Sequence, residues 1–284
     1  MKQSRLLSQE SHFAFGKNWK DFASKIDESR IDQAVSDLRR LSGLDRFDGL
    51  RFLDIGCGSG LHALAAHRLG ASEVVGVDID PDSVSASLST FAHCAPTANA
   101  RFEIVSVFDM TNDRFGGFEI VYSWGVLHHT GDMNGALQRA ADLVAPNGWL
   151  LVALYRKTRM CGMWRGIKRW YSRTSPGAQR AARRFYIDLY SLRQRTLGRT
   201  LEDEIALRET ARGMDFYNDV HDWLGGYPYE SITPDRCVAL FQKWGLRLER
   251  SFLPHGRKIR SGLFGSGCDE YCFRRGQSDV KAAS

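Results

Sequence analysis

Between residues 53 and 60 the chain reads Leu53-Asp54-Ile55-Gly56-Cys57-Gly58-Ser59-Gly60, an apolar run closed by alternating glycines. Glycine at every second position lets main chain approach a ligand where any Cβ would collide. A helix starting next offers unpaired N–H groups and a partial positive charge at its first turn. That combination suits a nucleotide-like ligand. A dinucleotide loop of the form G-x-G-x-x-G needs its third glycine at 61, where this chain has Leu61, so a nicotinamide ligand is disfavoured. Asp78 closes the next apolar run, where a carboxylate can accept both hydroxyls of an adenosine ribose. His128 and His129 follow the fourth such run, and imidazole titrates in the range useful to a general base.

The elements that must hold these residues are legible in the change of period. Residues 13–42 carry apolar positions such as Ile31, Ala34, Leu38 and Leu41 at helical spacing. Short Val/Ile/Leu-rich runs then fall at 51–56, 73–80, 101–108, 118–125 and 148–155, separated by helical patterns at 59–70, 81–94 and 133–144. Alternation of this kind predicts a parallel sheet wrapped by helices on both faces. After 155 it stops. The expected organisation is a helical lead-in and flap over 1–50 and a ligand-binding core over 51–155. A basic helical insertion over 156–230 follows, then a closing helix with an edge strand pair over 231–275 and a disordered tail over 276–284.

Here the sequence resembles the class I S-adenosylmethionine (SAM)-dependent methyltransferases. LDIGCGSG is similar to that family's first motif and VVGVDID to its second, while FEIVYSWGVLHH and LVAPNGWLLVALY resemble the segments of the fourth and fifth strands. The resemblance covers roughly residues 45–155. It implies an α/β, Rossmann-like, seven-stranded sheet and SAM as cofactor. By it, Asp54, Gly56, Gly58 and Gly60 line the methionine part of SAM, Asp78 binds the ribose, and Val107, Phe108 and Asp109 lie beside the adenine. Cys57, Ile79, Ser123, Trp124 and, from a flap at 15–19, Trp19 complete the expected cofactor site. One departure stands after the third strand, where the family often has Gly-Asp and this chain has Ser106-Val107. Either Asp109 takes the acid's role there or adenine is held by apolar contact.

For the acceptor, a hydroxyl of high pKa benefits from a base. His129 is the first choice and His128 the second; the alternative is that they position the loop. Ser123-Trp124-Gly125-Val126 is not the Asn/Asp-Pro-Pro-aromatic motif of amino-directed base methyltransferases, and no Pro-Cys nucleophile of the cytosine-C5 type occurs in the core. A dense polar and aromatic cluster at 212–230 supplies Arg212, His221, Asp222, Tyr227, Tyr229 and Glu230 as expected acceptor contacts in a loop; a well-packed structural loop is the alternative there.

Net charge is +6, but residues 156–199 hold thirteen Lys or Arg against one acid, so that segment carries +12 and the remainder −6. Within it, 178–197 places Ala182, Phe185, Leu189 and Leu192 on one helical face. Such a helix ordinarily packs its apolar face and solvates its charges. The functional readings are a lid over an anionic small-molecule acceptor, a membrane surface, a carrier protein or nucleic acid. Six scattered cysteines, without a C-x-x-C pair, read as thiols of a cytoplasmic protein and indicate no metal. The expected activity is O-methylation of a small hydroxylated acceptor: a sugar, nucleotide-sugar or natural product. The alternatives are an RNA methyltransferase and a SAM-fold protein that binds without catalysis.

Overall fold

The computed structural model describes residue 23 and residues 26–203, 205–206, 216–254 and 261–277. The expected flap at 15–19 with Trp19, the acceptor candidate Arg212 and the tail from 278 lie outside the described residues.

Five runs rich in β-branched and apolar residues form the parallel part of one sheet: β1 Arg51–Ile55, β2 Glu73–Asp78, β3 Ala100–Ile104, β4 Phe118–Trp124 and β5 Val144–Tyr155. Two later strands complete it, β6 Leu246–Phe252 and β7 Cys268–Arg275, with β7 antiparallel to both β5 and β6. The order is β3-β2-β1-β4-β5-β7-β6, the seven-stranded Rossmann-like arrangement expected. The strand order reverses between β1 and β4, which opens a crevice at their carboxyl ends.

Side chains alternate across the sheet, and each face has its own core. On one side Phe52, Val74, Ile120 and Leu151 meet helices α1 (Glu28–Ser42) and α2 (Leu61–Arg68) through Ile31, Leu38 and Leu64. On the other, Leu53, Val75, Val121 and Leu150 join Ala136, Leu137 and Phe241 from helices further along the chain. Helix α3 (Pro81–Cys94) starts where Asp80 caps the N–H of Asp82, with proline in the first turn. A single-turn helix α4 (Asn112–Phe115) precedes β4, and α5 (Met133–Asp142) precedes β5.

Several boundaries differ from expectation for local reasons. The third strand stops at Ile104 because Ser106 caps the N–H of Phe108 and turns the chain into a 3-10 helix over Val107–Asp109. The fifth begins at Val144, four residues early, and takes up Pro146 and the left-handed Asn147 (φ 62°) at a register shift against β4.

The insertion forms α6 (Cys161–Arg173), α7 (Pro176–Thr196) and α8 (Phe216–Gly225). Part of the cluster read as a loop is therefore helical: Phe216, Val220 and Leu224 recur at helical spacing and bury against Trp164, Tyr171 and Tyr190 in a third core. The packed face of α7 also differs from the expected one. Tyr190 and Gln194 are buried, whereas Phe185, Leu189 and Leu192 stay exposed. The insertion is tied to the sheet by a buried two-point ion pair, Arg156 Nε and NH2 donating to Asp269 at 2.7 Å each. Helix α9 (Pro234–Lys243) then returns to the sheet before β6.

Candidate active site

A cavity of about 910 Å³ opens at the carboxyl ends of β1, β2 and β4, where α/β sheets hold ligands. At its sheet end β1 gives way to Gly56, which turns in the left-handed region at φ 81°. The N–H groups of Gly56 and Cys57 both donate to the Val77 carbonyl, at 2.7 and 3.1 Å. A Cβ on Gly56 would stand 2.4 Å from the Val126 side chain, so glycine lets the loops after β1 and β4 meet. Gly60 differs: a Cβ there would meet the Ser87 backbone at 3.0 Å, and Gly60 is not part of the lining. Its smallness serves the approach of α3, where Ser87 Oγ donates to the Gly58 carbonyl and Thr90 Oγ1 to that of Ser59, at 3.1 and 2.8 Å.

Asp54, Cys57, Gly58, Asp78 and Ile79 line this end. Asp78 accepts from the N–H groups of Gly58 (3.3 Å) and Asp80 (3.0 Å), which aims its carboxylate at the loop. Burial raises Asp54 to about 8, with the charge of Asp78 adding to it and the Ala63 N–H opposing. Burial likewise raises Asp78 to about 6. The buried Asp54 and half-buried Asp78 in a glycine-walled cradle fit a ligand that has ribose hydroxyls and carries positive charge. Val107 and Phe108 also line the cavity, while Asp109 is exposed on the far side of its turn. Ser123 is buried outside the lining and donates to the Ile55 carbonyl at 2.9 Å, stitching β4 to β1. Trp124 does line it, with Nε1 donating to Glu270 at 2.9 Å; Glu270 also pairs with Arg40 of α1 at 2.8 Å.

The two histidines separate. His129 ends a 3-10 turn over Leu127–His129 and lines the cavity. Its Nδ1 lies 2.6 Å from the Pro228 carbonyl; a carbonyl only accepts, so Nδ1 holds the proton and Nε2 is the basic position. His128 is fully buried outside the lining. Its Nδ1 accepts from the Tyr155 N–H at 3.4 Å and its carbonyl from the Glu230 N–H at 3.0 Å. Burial pushes His128 well below the ordinary imidazole range, so it is a neutral joint between the turn, β5 and the insertion.

Beyond His129 the walls are rings: Tyr155 from β5, Tyr186 and Tyr190 from α7, Phe216 and Trp223 from α8, and Phe264. Asp219 and Asp222 add two carboxylates. Behind them the buried Lys168 donates to the Trp223 carbonyl and lies 3.8 Å from the Trp223 ring centre. Burial pulls Lys168 down to about 7.

Of the described residues expected to contact acceptor, Asp222 lines the cavity and the others do not. His221 faces α6 and α7, where Tyr171 Oη of the first and Arg183 of the second meet its Nδ1 at 2.6 and 2.9 Å; desolvation and Arg183 hold it down to about 4. Tyr229 is buried with its hydroxyl between Cys161 Sγ and Ser266 Oγ. Glu230 accepts from the Met133 N–H at 2.7 Å. Tyr227 is half-buried beside them. The cause is one of direction: α8 turns Phe216, Asp219, Asp222 and Trp223 inward, and 227–232 then runs back to β5, where the Ile232 N–H donates to the Tyr155 carbonyl. None of the thirteen cations of 156–199 lines the cavity. Sequence reasoning missed Tyr155, Tyr186, Tyr190, Trp223 and Glu270. The i, i+4 pair of tyrosines on α7 was a usable signal, but Glu270 had none.

Residues 26–209, more than half of the chain, match the methyltransferase-domain family. The ubiquinone biosynthesis O-methyltransferase of Chelativorans sp. (strain BNC1) is 30% identical over 112 residues, covering 39% of this chain and 43% of that protein. Its counterpart in Paracidovorax citrulli (strain AAC00-1) is 34% identical over 110 residues, 39% and 45% of the two chains. The chain thus spans less than half the length of these relatives. Among solved structures, PKMT2 from Rickettsia typhi in complex with AdoHcy superposes with a TM-score of 0.56 at 18% identity, over 86% of this chain and 52% of that one. Magnesium protoporphyrin IX methyltransferase from Synechocystis PCC 6803, with bound SAM, gives 0.50 at 13% identity over 87% and 80%. These two show a shared fold. The family match adds to the glycine loop, the acid closing β2 and the order of the sheet, and the chain belongs to the methyltransferase-domain family, within the class I SAM-dependent methyltransferases.

Proposed function

We propose that this chain transfers a methyl group from SAM to a hydroxyl of a small ring-bearing acceptor, a sugar or natural product, with His129 taking the proton. The observation that carries the reading is that a single cavity is lined by the glycine loop, by His129 and by the aromatic chamber of α7 and α8. When bound, SAM supplies an activated methyl group on a sulfonium centre. In the reading, Asp54, Gly56, Cys57 and Gly58 flank its methionine part, Asp78 and Ile79 the ribose, and Val107 and Phe108 the adenine. Trp124 closes the same wall.

At the acceptor end the rings bury a flat or cyclic molecule, and Asp219 and Asp222 orient its hydroxyls by accepting from them. His129, with Nδ1 fixed as a donor to Pro228, presents Nε2 to the acceptor hydroxyl. At the acceptor end Asp219 and Asp222 are in the lining while the cations of 156–199 are not, which favours an uncharged or cationic acceptor over a phosphate-bearing one. They give no support to RNA in this chamber. The O-methyltransferase relatives support the choice of oxygen.

A labelled-methyl assay over a panel of sugars, polyhydroxylated aromatics and their phosphorylated forms tests the reading. Turnover is expected on an unphosphorylated member. His129→Ala should lower kcat by about 10²- to 10⁴-fold while leaving SAM affinity within about threefold. Equal turnover in that variant would remove His129 as base, and turnover confined to phosphorylated members would overturn the acceptor class.

A further inference from the structure

Helix α7 has apolar side chains on opposite sides, and among the described residues only one side is covered. Tyr186 and Tyr190 turn inward to the cavity. Phe185, Leu189 and Leu192 are 71%, 42% and 60% exposed. Spaced i, i+4 and i+7, these three form one line along the helix. Ala181 and Thr196 extend the line and are exposed as well. At about 100° per residue, the exposed Arg180, Arg184 and Arg195 stand along one flank of it and the exposed Arg193 along the other. Asp188 is the sole acid in the helix sequence.

A line of large apolar side chains left in water marks a surface that something covers. The arginine flanks say what. An apolar stripe bordered by guanidinium groups matches a bilayer interface, where rings and aliphatic chains enter the acyl boundary and long cationic side chains reach the phosphates. Ten of the thirteen cations of 156–199, all but Arg156, Lys168 and Arg183, are exposed and complement an anionic leaflet. A second copy of the same face would set like charge against like. RNA would meet the arginines but leave Leu189 and Leu192 uncovered, since bases bind by stacking on aromatic rings.

We infer that α7 docks the protein on an anionic lipid surface, with Phe185, Leu189 and Leu192 in the interface and Arg180, Arg184 and Arg195 on the headgroup phosphates. The docking surface stands independently of the acceptor's identity. No helix among the described residues is long and apolar enough to cross a membrane; the contact inferred for α7 lies at the interface.

Co-sedimentation with vesicles tests it, using phosphatidylcholine alone and an equal mixture of phosphatidylcholine and phosphatidylglycerol. Wild type should pellet with the mixed vesicles and largely stay in solution with the neutral ones. A Phe185→Ser/Leu189→Ser/Leu192→Ser variant should partition at least about tenfold less. An Arg180→Gln/Arg184→Gln/Arg195→Gln variant should lose a similar factor on the mixed vesicles. Unchanged melting temperature and binding of S-adenosylhomocysteine would show both variants to be folded. The inference is overturned if wild type pellets with neither vesicle, or if the serine variant partitions like wild type. It is also overturned if vesicle binding is absent while the stripe mediates a dimer that the serine variant disperses, or while RNA binds in a salt-sensitive way.

Discussion

Asp54, buried, and Asp78, half-buried, are close enough to influence one another, and desolvation raises them to about 8 and about 6. In an unfolded chain both titrate near 4. The native state therefore holds protons that the unfolded chain releases between those limits, and linkage makes the ligand-free protein less stable as pH climbs from about 4 to about 8. Asp54→Asn removes the larger part of that loss. Its unfolding free energy relative to wild type should be higher at pH 8 than near pH 4 by at least the ~1.4 kcal/mol of one pKa unit, read by urea denaturation; an equal gap at both pH values would contradict this. The variant should gain stability and lose affinity for cationic SAM. At this scale the sequence was informative about chemistry and poor on direction. Gly56, Gly58 and Asp78 line the cavity at the ends of β1 and β2. His128 and His129 looked equivalent as neighbours, yet a 3-10 turn sends one ring into the cavity and the other into the core. Tyr229 and Glu230 have residue types fit for substrate and are used for packing and for a bond to the Met133 N–H.

Elements were read well wherever one period dominates a run. The sheet and α2, α3, α5 and α9 lie where alternating strand and helix patterns put them. The insertion was harder, because its helices carry apolar residues on more than one side. Phe185, Leu189 and Leu192 made the evident stripe, but Tyr186 and Tyr190 bury more ring surface against α8 and Phe264 and won the inner position. Nor does spacing reveal the joint between insertion and sheet, since Arg156 and Asp269 lie 113 positions apart. Both side chains are almost completely buried, so removing one leaves an uncompensated charge. Asp269→Ala should cost about 3–5 kcal/mol of unfolding free energy, read by urea denaturation. An Arg156→Met/Asp269→Leu double variant should recover most of it, because a buried pair contributes little beyond an apolar one of similar volume. A single variant as stable as wild type would show that the pair does not anchor the insertion.

At the scale of the molecule, the basic segment 156–199 keeps its cations away from the cavity. The core and the insertion jointly wall one chamber of about 910 Å³, whose lining includes seven carboxylate side chains, Asp37, Asp54, Asp78, Asp80, Asp219, Asp222 and Glu270. The arginines of 156–199 lie outside that lining. Composition alone placed the basic character in this segment, but its orientation depends on how three helices fold back over β5, which no local pattern encodes. The proposed tasks divide along the same line: the interior would take SAM and the proposed hydroxylated acceptor, and the outer face of α7 would meet the proposed anionic surface. The central claim is that the glycine loop and Asp78 hold SAM. Isothermal calorimetry of the full chain with SAM and with S-adenosylhomocysteine, for wild type and Asp78→Ala, tests it most directly. Binding in the micromolar range that the variant loses, while its melting temperature holds, is the predicted result. Wild type that binds neither ligand, or a variant that binds both as tightly, would contradict the account.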